Sequence, residues 1–102
     1  MQGVREISCE ELAAALADDA TPELIDVREP HEFAVASIDG SKCVPLTELG
    51  AALNDLSSEG LVVFICEIGE RSRQAASFAT MVGFREAFSL RGGVKAWQEM
   101  QT

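Results

Sequence analysis

The sequence predicts an α/β domain, a parallel sheet with helices on both faces. Short aliphatic runs alternate along the chain with stretches of helical periodicity. Each link between successive aliphatic runs is too long for a hairpin and suits a crossover. One run, Leu61-Val62-Val63-Phe64-Ile65-Cys66, is apolar throughout and β-branched in its middle, as expected of a central strand covered on both faces.

The elements follow in order. Ser8-Cys9-Glu10-Glu11 has the spacing of a capping box, and Leu12 and Leu16 continue it as a first helix ending near Asp18–Asp19. Glu23-Leu24-Ile25-Asp26-Val27 is a short buried strand, and Arg28-Glu29-Pro30 is its exit loop. A short helix from His31 to Ala36 follows, with Phe33 expected to face inward. Lys42-Cys43-Val44-Pro45 is a brief strand closed by proline, after which Thr47 is placed to cap a helix through Leu53. Beyond the Leu61–Cys66 strand, Ala75, Phe78, Ala79 and Val82 form an i, i+3, i+4, i+7 stripe, and Gly83 is placed to end that helix. Ala87–Leu90 is a last strand, Gly92-Gly93 breaks it, and Val94–Met100 closes the chain as a helix. Trp97 is expected to anchor that helix in the core.

Composition sets the class. With 102 residues, 47% hydrophobic and 25% charged, the chain fits one soluble globular domain over residues 1–102. Its longest strongly apolar run is far short of a membrane span, and MQGVREISCEEL has no signal-peptide core. The net charge of −9 argues against nucleic acid and anionic membranes as partners. Residues 1–60 hold 13 acids against three bases, whereas Arg71, Arg73, Arg85, Arg91 and Lys95 fall close together near the end. Three cysteines, Cys9, Cys43 and Cys66, with no Cys-x-x-Cys pair, argue against a disulfide framework or a cysteine zinc site and suit a reducing cytoplasm.

The three thiols have different settings. Cys9 falls in a first helical turn with no other chemistry beside it, and Cys43 lies inside a strand as a small hydrophobe. Cys66 ends the most central strand, where open parallel sheets collect their ligands. The loop Cys66-Glu67-Ile68-Gly69-Glu70-Arg71 then leads into a helix starting at Arg71 or Ser72. Gly69 allows a tight curl that turns successive backbone N–H groups toward one point, and the helix start adds its own free N–H groups. A sulfur anion at that centre is stabilised, so Cys66 is the candidate nucleophile.

Cys66-x-x-Gly69-x-Arg71-Ser72 after an aliphatic strand resembles the active-site loop of the single-domain rhodaneses, a sulfurtransferase family. Leu24-Ile25-Asp26-Val27-Arg28-Glu29 with His31-Glu32-Phe33 resembles the family's first signature. Ile38-Asp39-Gly40-Ser41 through Val44-Pro45-Leu46 resembles its middle segment, and Gly83-Phe84, Leu90-x-Gly92-Gly93 and Trp97 its closing one. The resemblance implies a five-stranded parallel sheet and a persulfide on Cys66, with Glu67, Ile68, Gly69, Glu70, Arg71 and Ser72 forming the substrate-binding loop. It implies double displacement with no metal or cofactor: sulfane sulfur arrives from thiosulfate or a persulfide and leaves to a thiol, cyanide or a protein cysteine. It also implies that Asp26 and Arg28 secure the loop framework and that Gly92-Gly93 lets the backbone pass close to the loop.

Two departures bear on function. Ala36-Ser37 replaces the family's usual Gly-His, a change in a structural loop. Glu67 and Glu70 place carboxylates where many members carry neutral or basic residues, which disfavours an anionic donor such as thiosulfate. A protein persulfide or a cationic partner surface is therefore the expected donor or acceptor. A phosphatase or arsenate reductase loop would need arginine six positions after the cysteine, whereas here Ser72 stands there and Arg71 is fifth. A non-catalytic rhodanese-like interaction module is the other alternative, and the presence of Cys66 and Gly69 argues against it. His31 is the lone histidine and is expected at the surface, not as a general base.

Overall fold

The computed structural model describes residues 4–18 and 21–102. Their strands form a five-stranded, all-parallel sheet in the order β1-β5-β4-β2-β3. The strands are β1 (Glu6–Ile7), β2 (Glu23–Asp26), β3 (Lys42–Cys43), β4 (Leu61–Ile65) and β5 (Glu86–Leu90). The helices are α1 (Cys9–Ala17), α2 (Pro30–Val35), α3 (Leu49–Leu53), α4 (Glu70–Met81) and α5 (Gly93–Gln101).

β4 is central, and its alternating side chains divide the core in two. Val62, Phe64 and Cys66 join Leu49 and Leu53 of α3 and Ala75, Ala76 and Ala79 of α4 on one face. Val63 and Ile65 join Cys9 and Leu12 of α1 and Val94 and Trp97 of α5 on the other. Strand periodicity produces this split, because successive side chains leave a strand on opposite sides. The chain leaves β2 toward one edge and β4 toward the other, so strand order reverses between them. The crevice past the carboxyl ends of such a pair is where an open sheet accommodates a ligand.

The capping box forms as expected: the Ser8 hydroxyl accepts from Glu11 N–H at 3.0 Å, and Glu11 Oε1 accepts from Ser8 N–H at 2.8 Å. Asp19, expected at the end of this helix, lies outside the described residues.

Several expectations are corrected. On α4 the buried stripe is Ser72, Ala75, Ala76 and Ala79, while Phe78 and Val82 are 40% and 54% exposed. The sheet meets a face of small residues, which lets the helix sit close and turns the larger side chains outward. Phe33 is only half-buried because α2, six residues long, buries no side chain fully. Thr47 does not cap a helix: a 3₁₀ turn at Leu46–Glu48 starts straight after Pro45, and α3 begins only at Leu49. The Lys42–Pro45 strand shrinks to Lys42–Cys43, although Val44 N–H still donates to the Asp26 carbonyl at 2.8 Å. α4 begins at Glu70, ahead of Arg71. β1 pairs with β5 through only two residues, too few to leave a pattern in sequence.

Candidate active site

β4 ends at Ile65, and Cys66 follows at the mouth of the crevice with 1% of its surface exposed. The next three residues curl back over it. Gly69, at φ +110°, caps α4 in a backbone region that side chains avoid, and this turns its N–H inward to the Cys66 sulfur at 3.0 Å. Ser72 N–H, in the first turn of α4, reaches the same sulfur at 3.3 Å. The Cys66 thiol meets the Ser72 hydroxyl at 3.4 Å, and that hydroxyl lies 2.7 Å from the Ser89 hydroxyl of β5. Two backbone N–H groups thus converge on one sulfur, each presenting the positive end of a dipole to it.

The loop is held from below by α5. Val94 N–H donates to the Cys66 carbonyl at 2.8 Å and Lys95 N–H to the Glu67 carbonyl at 3.1 Å. Gly93, at φ +63°, lies so close that a side chain there would run into both of those carbonyl oxygens. The loop's own carbonyls are thereby satisfied by the start of α5, which leaves the Gly69 and Ser72 N–H groups to point at sulfur.

The neighbouring cations are already paired. Arg28 is 2% exposed and grips Asp26 with its Nε at 3.0 Å and its Nη2 at 2.8 Å. It also reaches the Ala36 carbonyl at 2.7 Å and Glu67 at 3.2 Å. Arg71 forms a two-pronged pair with Glu32 of α2 at 2.9 and 3.0 Å. Its guanidinium, with the Glu29 N–H, holds the Glu32 carboxyl down to about 2. A cleft of about 350 Å³ opens between these groups, lined by Arg28, His31, Glu32, Val35, Glu67 and Val94 among others. A wider depression of about 720 Å³ on the outer side of α4 touches the loop only at Glu70. The smaller cleft is the one at the strand-order reversal, with Arg28 after β2 and Glu67 after β4 on its wall.

Comparison with known proteins decides the family. The rhodanese-like domain family matches residues 8–100. The chain belongs to that family. It is 33% identical over 94 residues to a sulfurtransferase from Allochromatium vinosum, covering 92% of this chain and 88% of the relative. It is 35% identical over 101 residues to the chloroplastic rhodanese-like/PpiC domain-containing protein 12 of Arabidopsis thaliana, covering 92% of this chain but about a third (34%) of that longer protein. Among solved structures, the human single-domain sulfurtransferase TSTD1 superposes with a TM-score of 0.90 at 29% identity, covering 98% of this chain and 100% of the other.

Within this rhodanese-like chain, the expected loop residues take different stations. Gly69 and Ser72 surround Cys66, Arg71 turns to α2, and Glu67 pairs with Arg28. Ile68 is 55% exposed and Glu70 is exposed, both on the rim. Asp26 and Arg28 form the framework, and Gly93 makes the close approach. His31 is exposed on the cleft wall. Glu32, the partner of Arg71, carries no signal in the sequence, since 39 residues separate the two with no spacing rule to join them. Ser89, a hydroxyl on the α4 side of β5 between Phe88 and Leu90, is a polar interruption that the sequence does display. Among the described residues no group of His, Cys, Asp and Glu is arranged to hold a metal, and no helix is long and apolar enough to cross a membrane.

Proposed function

We infer that this protein is a sulfurtransferase that carries sulfane sulfur as a Cys66 persulfide. The convergence of the Gly69 and Ser72 N–H groups on the Cys66 sulfur carries the reading. The Cys66 thiolate attacks the outer sulfur of a donor; the donor's S–S bond breaks and its electron pair leaves with sulfite or a thiolate. The terminal sulfur of the resulting persulfide is then attacked by a thiol, cyanide or a protein cysteine, and Cys66 departs again as a thiolate. Each step forms one bond to the transferred sulfur and breaks another, with the bonding pair leaving on the donor fragment or on Cys66, so the cycle needs no external oxidant or reductant and no metal or cofactor. Three free cysteines suit a reducing compartment, and we place the reaction in the cytoplasm.

The pairing of charges bears on the donor. Arg28 and Arg71 spend their charge on Asp26, Glu67 and Glu32, while Glu70 stands exposed on the rim. Free thiosulfate, a dianion, therefore meets little attraction from the loop, and a persulfide on a protein or a small thiol is the better donor. The likeness to relatives named as sulfurtransferases supports the same class of reaction.

Intact-mass spectrometry tests the reading after incubation with thiosulfate and, separately, with a cysteine desulfurase plus cysteine. The expected result is a gain of one sulfur atom, larger with the desulfurase, removed by cyanide and absent from Cys66→Ser. No gain from either donor overturns it and leaves a binding module.

A further inference from the structure

The Ser72–Ser89 pair is a buried polar feature that the proposed cycle leaves unused. Both residues are fully buried, their hydroxyls are 2.7 Å apart, and they sit in an otherwise apolar layer between β5 and α4. Ser89 pairs in register with Phe64 of β4, so its side chain shares the face that carries Cys66.

Proton accounting fixes what the pair can do. Each hydroxyl has one proton to give and two lone pairs to receive. In the thiol form Cys66 donates to Ser72, and Ser72 gives its only proton to the Gly69 carbonyl at 3.1 Å. The proton between the two serines must then come from Ser89. When the Cys66 proton leaves to water, the Ser72 hydroxyl is free to turn and donate to the sulfur. The Gly69 carbonyl loses nothing essential, because Arg73 N–H also donates to it at 3.2 Å. Ser89 donates to Ser72 in both states, and a hydroxyl that accepts a hydrogen bond becomes a stronger donor.

We propose that Ser89 is a positioning residue: its hydroxyl holds Ser72 as a hydrogen-bond donor to the ionised Cys66 sulfur. The proposal rests on the reading that Cys66 is the reacting group. It gives Ser89 no contact with substrate and assigns its effect wholly to Ser72.

The test is the pH dependence of Cys66 alkylation by iodoacetamide, followed on the Cys66 peptide by mass spectrometry. Ser89→Ala is expected to move the midpoint upward by about 0.1 to 0.6 of a pH unit, because the Ser89 bond is present in both states and only its strengthening of the charge-assisted Ser72–sulfur bond distinguishes them. In a Ser72→Ala background the same change should move it by less than a third of that. Ser89→Thr and Ser89→Val, equal in bulk, separate the hydroxyl from packing: the threonine variant should titrate below the valine variant by about 0.2 of a unit or more. An unchanged midpoint in Ser89→Ala, an equal shift with and without Ser72, or coincident Thr and Val profiles overturns the proposal. A wild type that takes up no sulfur would count against the function while leaving this alkylation comparison readable.

Discussion

Cys9 and Cys66 are both buried, both lie at or just ahead of a helix start, and they sit on opposite sides of the same sheet. Cys9 is the first residue of α1, and its thiol points at the Arg91 carbonyl at 3.8 Å. Burial, with Glu10 beside it, pushes the Cys9 thiol up. Cys66 stands four residues ahead of α4, and two N–H groups point at it. The difference lies in the intervening loop. A helix N-terminus directs its N–H groups along its own axis, and a sulfur on the first turn is beside that axis, not on it. The curl through Gly69 moves the sulfur onto it. Cys43 falls with Cys9: its thiol meets the Arg28 carbonyl at 3.6 Å, and burial together with Asp26 pushes it up as well.

The largest effects are expected from damage to what shapes the loop. Gly93→Ala places a methyl group into the Cys66 and Glu67 carbonyls at a positive φ, and a cost of at least about 3 kcal/mol is expected. Gly40→Ala, also at positive φ but with open space around it, should cost about 1 kcal/mol. Urea unfolding of the two variants checks the contrast, and equal losses would mean that the approach of α5 to the loop matters little.

Charge at the rim has the next largest effect. Glu67→Gln and Glu70→Gln together should speed thiosulfate-dependent loading of Cys66 about threefold to tenfold at low ionic strength, and less in 0.5 M salt (roughly), where screening acts within a few ångströms. Steady-state rates against salt provide the measurement. Efficient thiosulfate turnover that these changes leave unaltered or slow would contradict the assigned donor preference.

The smallest expected effect concerns the Glu32–Arg71 pair. The Glu32 carboxyl is lowered to about 2 in the folded protein by its hydrogen bonds to Arg71 and to the Glu29 N–H. The stabilisation is therefore complete above the ordinary carboxylate value and is lost as pH falls from there toward 2. With its side chain partly open to solvent, the pair contributes about 1 kcal/mol. Glu32→Gln should lower stability by that amount at pH 7 and by nearly nothing near pH 2, as read from melting temperature against pH.

Much of this was legible in the chain itself. The Leu61–Cys66 run announced the central strand, and Gly69 and Gly93 marked the two places where backbone had to approach sulfur or loop. What was not legible depends on tertiary placement. Phe78 and Val82 satisfy helical periodicity yet face outward, because Ala75, Ala76 and Ala79 are the residues small enough for close packing on β4 and β5. β1 draws its place from β5, and Arg71 its partner from a helix 39 residues earlier. Ser89 takes its meaning only from the hydroxyl across the layer.

The most direct test of the claim that loop geometry singles out one thiol is to locate the sulfur. The protein is loaded with a cysteine desulfurase and cysteine, digested, and its three cysteine peptides compared by mass spectrometry. The account predicts the extra sulfur on the peptide carrying Cys66 and none on those carrying Cys9 or Cys43. Sulfur shared evenly among the three, or found chiefly on Cys9 or Cys43, would contradict it.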